Sequence, residues 1–161
     1  MRFNYKARVS LPPADAFTLV ASFDYTLPLI DRDMIAVTRL DDGDAVGKGS
    51  RWRERFTGPG RRPVVVDSEF LTFSPPGDLQ VRFVTRGMSG AISFSFAAAG
   101  RAVTDVTVTM HATTNGIGRL LYPVAWWDLR RREARRLATF RRLAESGELS
   151  VAGMREAALR G

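Results

Sequence analysis

Two glutamates stand where the surrounding pattern is apolar. Glu54 alternates with Trp52 and Phe56 in a strand-like run, and Glu133 falls between Leu129 and Leu137 on one face of a long helical pattern. A carboxylate in apolar surroundings has its charged form disfavoured, which raises its pKa and suits it to proton transfer. A pair of such groups could serve enolisation and loss of water, one as base and one as acid, with Tyr25 or Tyr122 beside them. The competing reading is structural and simpler: ion pairs at a cavity rim, Arg136 for Glu133 and Arg53 or Arg55 for Glu54. The catalytic assignment therefore stays open, with Glu54 and Glu133 as its candidates.

Other chemistry-bearing patterns fall away on spacing. Gly43–Ser50 (GDAVGKGS) has three residues between its first Gly and the Gly-Lys pair, one too few for a phosphate loop, and Gly49 stands where Ser or Thr is needed. It reads as a turn into the Trp52 strand. Asp41, Asp42 and Asp44 lack the spacing and the bidentate Glu of a calcium loop, and read as turn residues. Cysteine is absent, which excludes disulfides and thiolate sites, and the single histidine, His111, has no partners for an imidazole metal site. His111 alternates with Thr107, Thr109 and Thr113, so it is expected on the wet face of its strand. No metal and no cofactor is expected.

The elements that must position the glutamates follow from periodicity. Arg2–Val9 alternates as a half-buried strand, and Pro12-Pro13 opens a short helix with Phe17, Val20 and Ala21 on one side. Ser22–Asp33 reads as a second short helix or loop. Six runs then alternate with period two: Met34–Leu40, Ser50–Phe56, Val64–Phe73, Leu79–Phe83, Ile92–Phe96 and Val106–Met110, separated by turn residues. Asn115-Gly116 ends them. Ile117–Ser146 has helical length and period, with Pro123 near its start and Gly147 as its stop. Tyr122, Ala125, Trp126, Leu129, Leu137, Phe140, Leu143 and Ala144 share its apolar face, while Arg130, Arg131, Arg132, Arg135, Arg141 and Arg142 lie around the opposite one, with Arg136 at the boundary. Residues 148–161 form one more short helix or fray.

An antiparallel sheet with one apolar face needs a cover, and the C-terminal helix is the element long enough to supply it. The fold class is therefore α+β, a curved sheet of about seven strands around a long C-terminal helix. Small inward residues (Ser68, Ala91, Ala112) leave room for a cavity between them.

The 161 residues suit one domain, and the apolar share of 45% with 25% charged residues is that of an ordinary globule. No apolar run reaches the roughly 18–20 residues of a spanning helix. The start, MRFNYKARVSLPP, lacks the apolar stretch of a secretory signal, so a cytoplasmic location is expected. Of the net charge of +7, most sits on one segment: seven arginines and one acid, Glu133, between Arg130 and Arg142. Nucleic-acid binding would want aromatics on that same face for stacking. Trp126 and Phe140 are on the other, so the cluster reads as a solvated helix face and nucleic acid is not an expected partner.

The order of elements and several segments resemble the SRPBCC, or START-like, superfamily with its helix-grip fold, and within it the polyketide cyclase/dehydrase and lipid-transport branch. The matching segments are ARVSLPPADAFTLVAS, VTRLDDGDAVGKGSRWRERF, SEFLTFSPPGDLQVRF and RREARRLATFRRLAESGEL, spanning roughly residues 2–146. The stretch DYTLPLIDRDMIAV departs from the usual pattern in having no Trp. The resemblance implies a single domain over residues 1–146, with 147–161 as an extension. It also implies an apolar, lipid- or polyketide-like ligand held between sheet and helix, against Trp52, Phe56, Phe70, Phe83, Phe94, Phe96, Met110, Trp126 and Leu129. A cyclase or dehydratase working through the two glutamates, and a protein-interaction module, are the alternatives it carries. Leu120, Leu121, Val124 and Trp127 form a second apolar stripe, read as buried at the cavity mouth, with a homodimer contact as the other reading.

Overall fold

Strand β7 (Val103–Thr114) shows the period-two pattern at its cleanest: Thr104, Val106, Val108, Met110 and Ala112 are buried, and His111 on the other face is exposed. The structure, a computed structural model, describes residues 2–43, 45–114 and 122–160, the side chains of 122–126 excepted. In chain order its elements are β1 (Arg2–Val9), α1 (Pro13–Ala21), α2 (Phe23–Ile30), β2 (Met34–Arg39), β3 (Arg51–Thr57), β4 (Pro63–Ser74), β5 (Asp78–Thr85), β6 (Met88–Gly100), β7, α3 (Tyr122–Ser146) and α4 (Val151–Ala158). A single 3-10 turn, Pro59–Arg61, lies between β3 and β4. Residues 117–121 of the expected long helix, and the Asn115-Gly116 stop, lie outside the described residues.

The seven strands form one antiparallel sheet in the order β1-β7-β6-β5-β4-β3-β2. Register shifts interrupt β2 at Met34/Ala36, β4 at Phe70/Thr72 and β6 at Ala98/Gly100. An extra residue on one strand bends it and increases its twist, which lets the sheet curve around α3. The alternation Trp52–Glu54–Phe56 faces inward, and its outward neighbours are arginines; Arg53 pairs across the sheet with Asp67 at 2.7 Å.

One position on the inner face tolerates no side chain. A Cβ on Gly90 would stand 2.1 Å from the His111 carbonyl oxygen and 2.8 Å from the Phe83 ring. Gly90, opposite Phe83 and Ala112, is thus the small inward residue of β6. Ala91, expected to point inward, faces out beside Arg82 and His111, because Ile92 and Phe94 take the inward places on that strand.

Helices α1 and α2 close one end of the sheet's concave face with aromatic contacts. Phe17 meets Phe73 and Phe96 edge-on at 5.1 and 5.5 Å between ring centres, and Phe23 meets Phe70 at 5.0 Å and Trp52 at 6.0 Å. Proline at the first position of α1 needs no N–H partner. Helix α2 ends at Asp31, whose N–H donates to the Leu27 carbonyl before the chain turns extended into β2. Helix α3 stops at Gly147 (φ +77°), and Leu149 reaches back to the Leu143 carbonyl and is fully buried. Ser150 then caps α4, its hydroxyl accepting from the Gly153 N–H at 3.1 Å. No described helix is long and apolar enough to cross a membrane.

Candidate functional site

Between the sheet and α3 lies a cavity of about 290 Å³. Strands β3 to β7 give it Phe56, Val66, Val81, Phe83, Ile92, Phe94, Val108 and Met110, and α1 and α2 give it Val20, Phe23 and Leu27. Helix α3 presents Leu129, Arg132, Glu133, Arg136, Leu137 and Phe140, a stripe at i, i+3, i+4, i+7, i+8 and i+11 that is one helical face. Among the described lining residues, Pro59 and Arg86 are exposed, so the cavity meets the surface at the β3–β4 and β5–β6 turns.

The polar part of this wall is a buried ion cluster. Arg136 is its centre: Nε and Nη2 lie 2.9 and 2.7 Å from Asp31 Oδ2, Nη1 lies 2.9 Å from Glu133 Oε1, and Nη2 lies 3.7 Å from Glu54 Oε2. Ser68 on β4 donates to Glu54 Oε1 at 2.7 Å. Arg132, one turn earlier on α3, is 3% exposed. It donates to Asp31 Oδ2 at 3.2 Å and to the Thr57 carbonyl at 2.8 Å, and its guanidinium lies 3.8 Å over the Phe56 ring. Asp31 is held from behind by the Asp33 N–H at 3.0 Å. Glu54, Ser68, Arg132, Glu133 and Arg136 reach the cavity, and Asp31 sits behind them.

Charge and burial act on these groups in opposite senses. Burial pushes the Glu54 pKa up, helped by Glu133 and Asp31, and the attraction of Arg136 and the Ser68 hydrogen bond only partly offset it. Burial also disfavours the Asp31 carboxylate, yet Arg136 with its hydrogen bond, the Asp33 N–H and Arg132 together hold its pKa below the ordinary value. For Arg136 burial works against the cation, but Glu133, Glu54 and Asp31 outweigh it and raise its pKa. Three buried carboxylates face two buried guanidiniums, so the cluster balances when one carboxylate, Glu54, carries a proton.

The two candidate glutamates are therefore brought together, through one arginine. Glu133 pairs with Arg136 as its structural reading proposes. Glu54 does not pair with Arg53 or Arg55, which point outward from β3; its cation is also Arg136. Among the aromatic and apolar candidates, Phe56, Phe83, Phe94, Met110 and Leu129 line the cavity. Trp52, Phe70 and Phe96 are buried instead in the aromatic packing against α1 and α2. Trp126 and Tyr122 have side chains outside the described residues, and Tyr25 does not reach the cavity wall. Trp127 is 59% exposed, with the Arg131 guanidinium 4.9 Å over its ring, so it is not buried at the mouth. Leu120 and Leu121 lie outside the described residues, as does the Val124 side chain.

Two residues of the cluster escape a reading of the sequence. Arg132, assigned by the helical wheel to the solvent face, turns inward because Asp31 and the Thr57 carbonyl await it there. Asp31 itself lies in the Trp-free stretch between α1 and β2, and its signal is an acid placed directly after Leu29-Ile30. The acidic turn residue Asp41 has a local role: two hydrogen bonds from Arg39, at 2.9 and 2.7 Å, and one from the Arg51 N–H hold its pKa down at about 2.

A curved seven-stranded antiparallel sheet gripping a long C-terminal helix, with a cavity between them, is a helix-grip fold. Solved structures share it across most of the chain. The ZhuI aromatase/cyclase from Streptomyces sp. R1128 superposes with a TM-score of 0.76 at 12% identity over 90% of this chain and 93% of its own. Ara h 8.0201 gives 0.72 at 12% identity, covering 91% and 98%. The di-domain ARO/CYC BexL from the BE-7585A biosynthetic pathway gives 0.68 at 17% identity over 90% of this chain and 46% of that one. No family model and no curated protein sequence matches the chain.

Proposed function

We propose that this protein binds an apolar, oxygen-bearing small molecule, lipid- or polyketide-like, in the cavity between the sheet and α3. The carrying observation is the wall itself: largely apolar and aromatic side chains from six strands and three helices, with a buried ion cluster built from Glu54, Ser68, Arg132, Glu133 and Arg136 and further polar residues, among them Asp128 and Arg86, elsewhere on the wall. Ligand pockets are of this kind, mostly apolar with a few placed polar groups that set orientation, and about 290 Å³ is near the lower end of their usual size. Phe56, Phe83, Phe94, Met110 and Leu129 are the ligand contacts, and the cluster receives the ligand's oxygen. Native mass spectrometry of the purified protein, and titration with the uncharged fluorescent probe N-phenyl-1-naphthylamine, test this directly. A co-purified apolar molecule or saturable probe binding is the expected result; a protein that carries nothing and leaves the probe dark would sink it.

A second reading, an enzyme of the cyclase or dehydratase type, is favoured by the raised pKa of Glu54 beside the Arg136 guanidinium. In its neutral form Glu54 can donate a hydrogen bond to a ligand carbonyl, and in its charged form it can take a proton from the adjacent carbon. Proton–deuterium exchange at the methyl group of 2-acetonaphthone, followed by NMR, separates the two readings. Exchange no faster with the protein than with its Glu54→Gln variant leaves binding alone.

A further inference from the structure

We infer that the cavity selects uncharged oxygen ligands, such as ketones and phenols, over carboxylates of the same shape, because both guanidiniums in its buried cluster are already occupied by the chain's own acids. The inference rests on the cavity reading above and specifies the ligand's charge.

An apolar pocket with two arginines on its wall looks at first like a seat for a fatty or aromatic acid. The geometry denies the acid its partners. Arg136 faces Asp31 through Nε and Nη2 and Glu133 through Nη1, with Glu54 3.7 Å from Nη2. Arg132 faces Asp31 and the Thr57 carbonyl, and the Phe56 ring covers its plane. A bidentate Arg–carboxylate pair needs two free N–H groups on one edge. Among the described residues, Arg132 Nε and Arg136 Nη2 lack a hydrogen-bond partner, but they sit on different guanidiniums, and Asp31, Glu133 and the Thr57 carbonyl take the neighbouring nitrogens. An incoming carboxylate would be a further buried anion in a cluster whose two guanidiniums are already paired, and it would meet Glu54, Glu133 and Asp128 at the wall. Like charges brought together out of water repel strongly, which is how interfaces reject wrong partners. A ketone or phenol adds no charge: Glu54 in its neutral form can donate to a ketone, and the Ser68 oxygen or Glu54 can accept from a phenol. Arg86, the other arginine on the described wall, is exposed at the β5–β6 turn, where water screens it.

Two probes of nearly equal shape test this: 2-acetonaphthone and 2-naphthoate, each competed at pH 7 against N-phenyl-1-naphthylamine on the whole protein and on Glu133→Gln. The ketone is expected to bind more tightly than the acid by about tenfold or more in the wild type. The gap should narrow in Glu133→Gln, where the wall loses an anion while the amide oxygen can still accept from Arg136 Nη1. Naphthoate binding as tightly as the ketone in the wild type overturns the inference and leaves the cavity reading standing. So does a gap of the same size in the variant, which would trace it to desolvation of the acid alone. If neither probe displaces the dye because nothing binds, both readings fall. The wild-type comparison stands even if Glu133→Gln folds poorly.

Discussion

Asp31, at the end of α2, holds Arg136 of α3 through a single oxygen: Oδ2 lies 2.9 Å from Nε and 2.7 Å from Nη2. The two residues are 105 positions apart in sequence. Their contact ties the short helices to the long one and aims the Arg136 guanidinium at Glu133 and Glu54. Removing one partner of a buried pair leaves an uncompensated charge, which costs about 3–5 kcal/mol. Asp31→Asn is expected to lower the unfolding free energy by about that much, read from urea titration. Adding Arg136→Met should deepen the loss, since Glu133 and Glu54 then lose the cation they share. A double variant no less stable than Asp31→Asn would mean that Arg136 stabilises the fold through Asp31 alone.

Glu54 and Asp31 give stability opposite dependences on pH. The Glu54 pKa is raised in the folded protein, so its contribution is full below the ordinary value of 4.5 and fades as pH climbs through the raised value. The Asp31 pKa is lowered, so its contribution is full above 3.8 and is lost as pH falls through the lowered value. Glu54→Gln has no charge to desolvate at any pH. Its stability relative to the wild type should therefore rise between pH 5 and pH 8, seen as a growing difference in urea midpoint. A difference that stays flat over that range would show that Glu54 titrates at the same pH folded and unfolded.

Gly90→Ala tests the closest approach on the sheet's inner face. The new methyl would meet the His111 carbonyl oxygen at 2.1 Å, and backbone is slower to yield than a side-chain tip. Overpacking of this kind costs about 1–3 kcal/mol or more, so a clear fall in melting temperature is expected. An unchanged melting temperature would mean that β6 and β7 separate at little cost.

Leu129→Trp tests the cavity as a volume. Leu129 is half-buried on the α3 face that lines the space, and an indole there has room to enter the cavity. Binding of N-phenyl-1-naphthylamine should weaken by about tenfold or more, with the unfolding transition retained. A variant that folds and binds the dye as the wild type does would place the dye elsewhere.

Much of the fold is legible in the sequence, because alternation and helical period report which face of an element is dry. β3 and β7 alternate as expected, and the long helix carries its apolar stripe. The same signals say nothing about depth. Trp52, Phe70 and Phe96 face inward just as Phe56, Phe83 and Phe94 do, yet the first three lie where α1 and α2 pack down and the others where the space stays open. Nor does a helical wheel see a partner. Arg132 is charged, so periodicity places it in water; only the fold brings Asp31 and the Thr57 carbonyl to meet it. Glu54 is legible as inward-facing, but its cation comes from α3, about eighty positions away (54 to 136), instead of from its own strand.

The aromatic plug formed by Phe17, Phe23, Phe70 and Trp52 has a kinetic consequence. It packs over one end of the cavity through Phe23, and among the described lining residues the exposed ones, Pro59 and Arg86, are both at the turns. Among the described residues, a newcomer meets no second exposed entrance through which to push an occupant out. Exchange must wait for the resident molecule to leave by the doorway it used to enter. Its off-rate should therefore stay constant however much competitor is added, and residence time becomes a property of the doorway at the β3–β4 and β5–β6 turns.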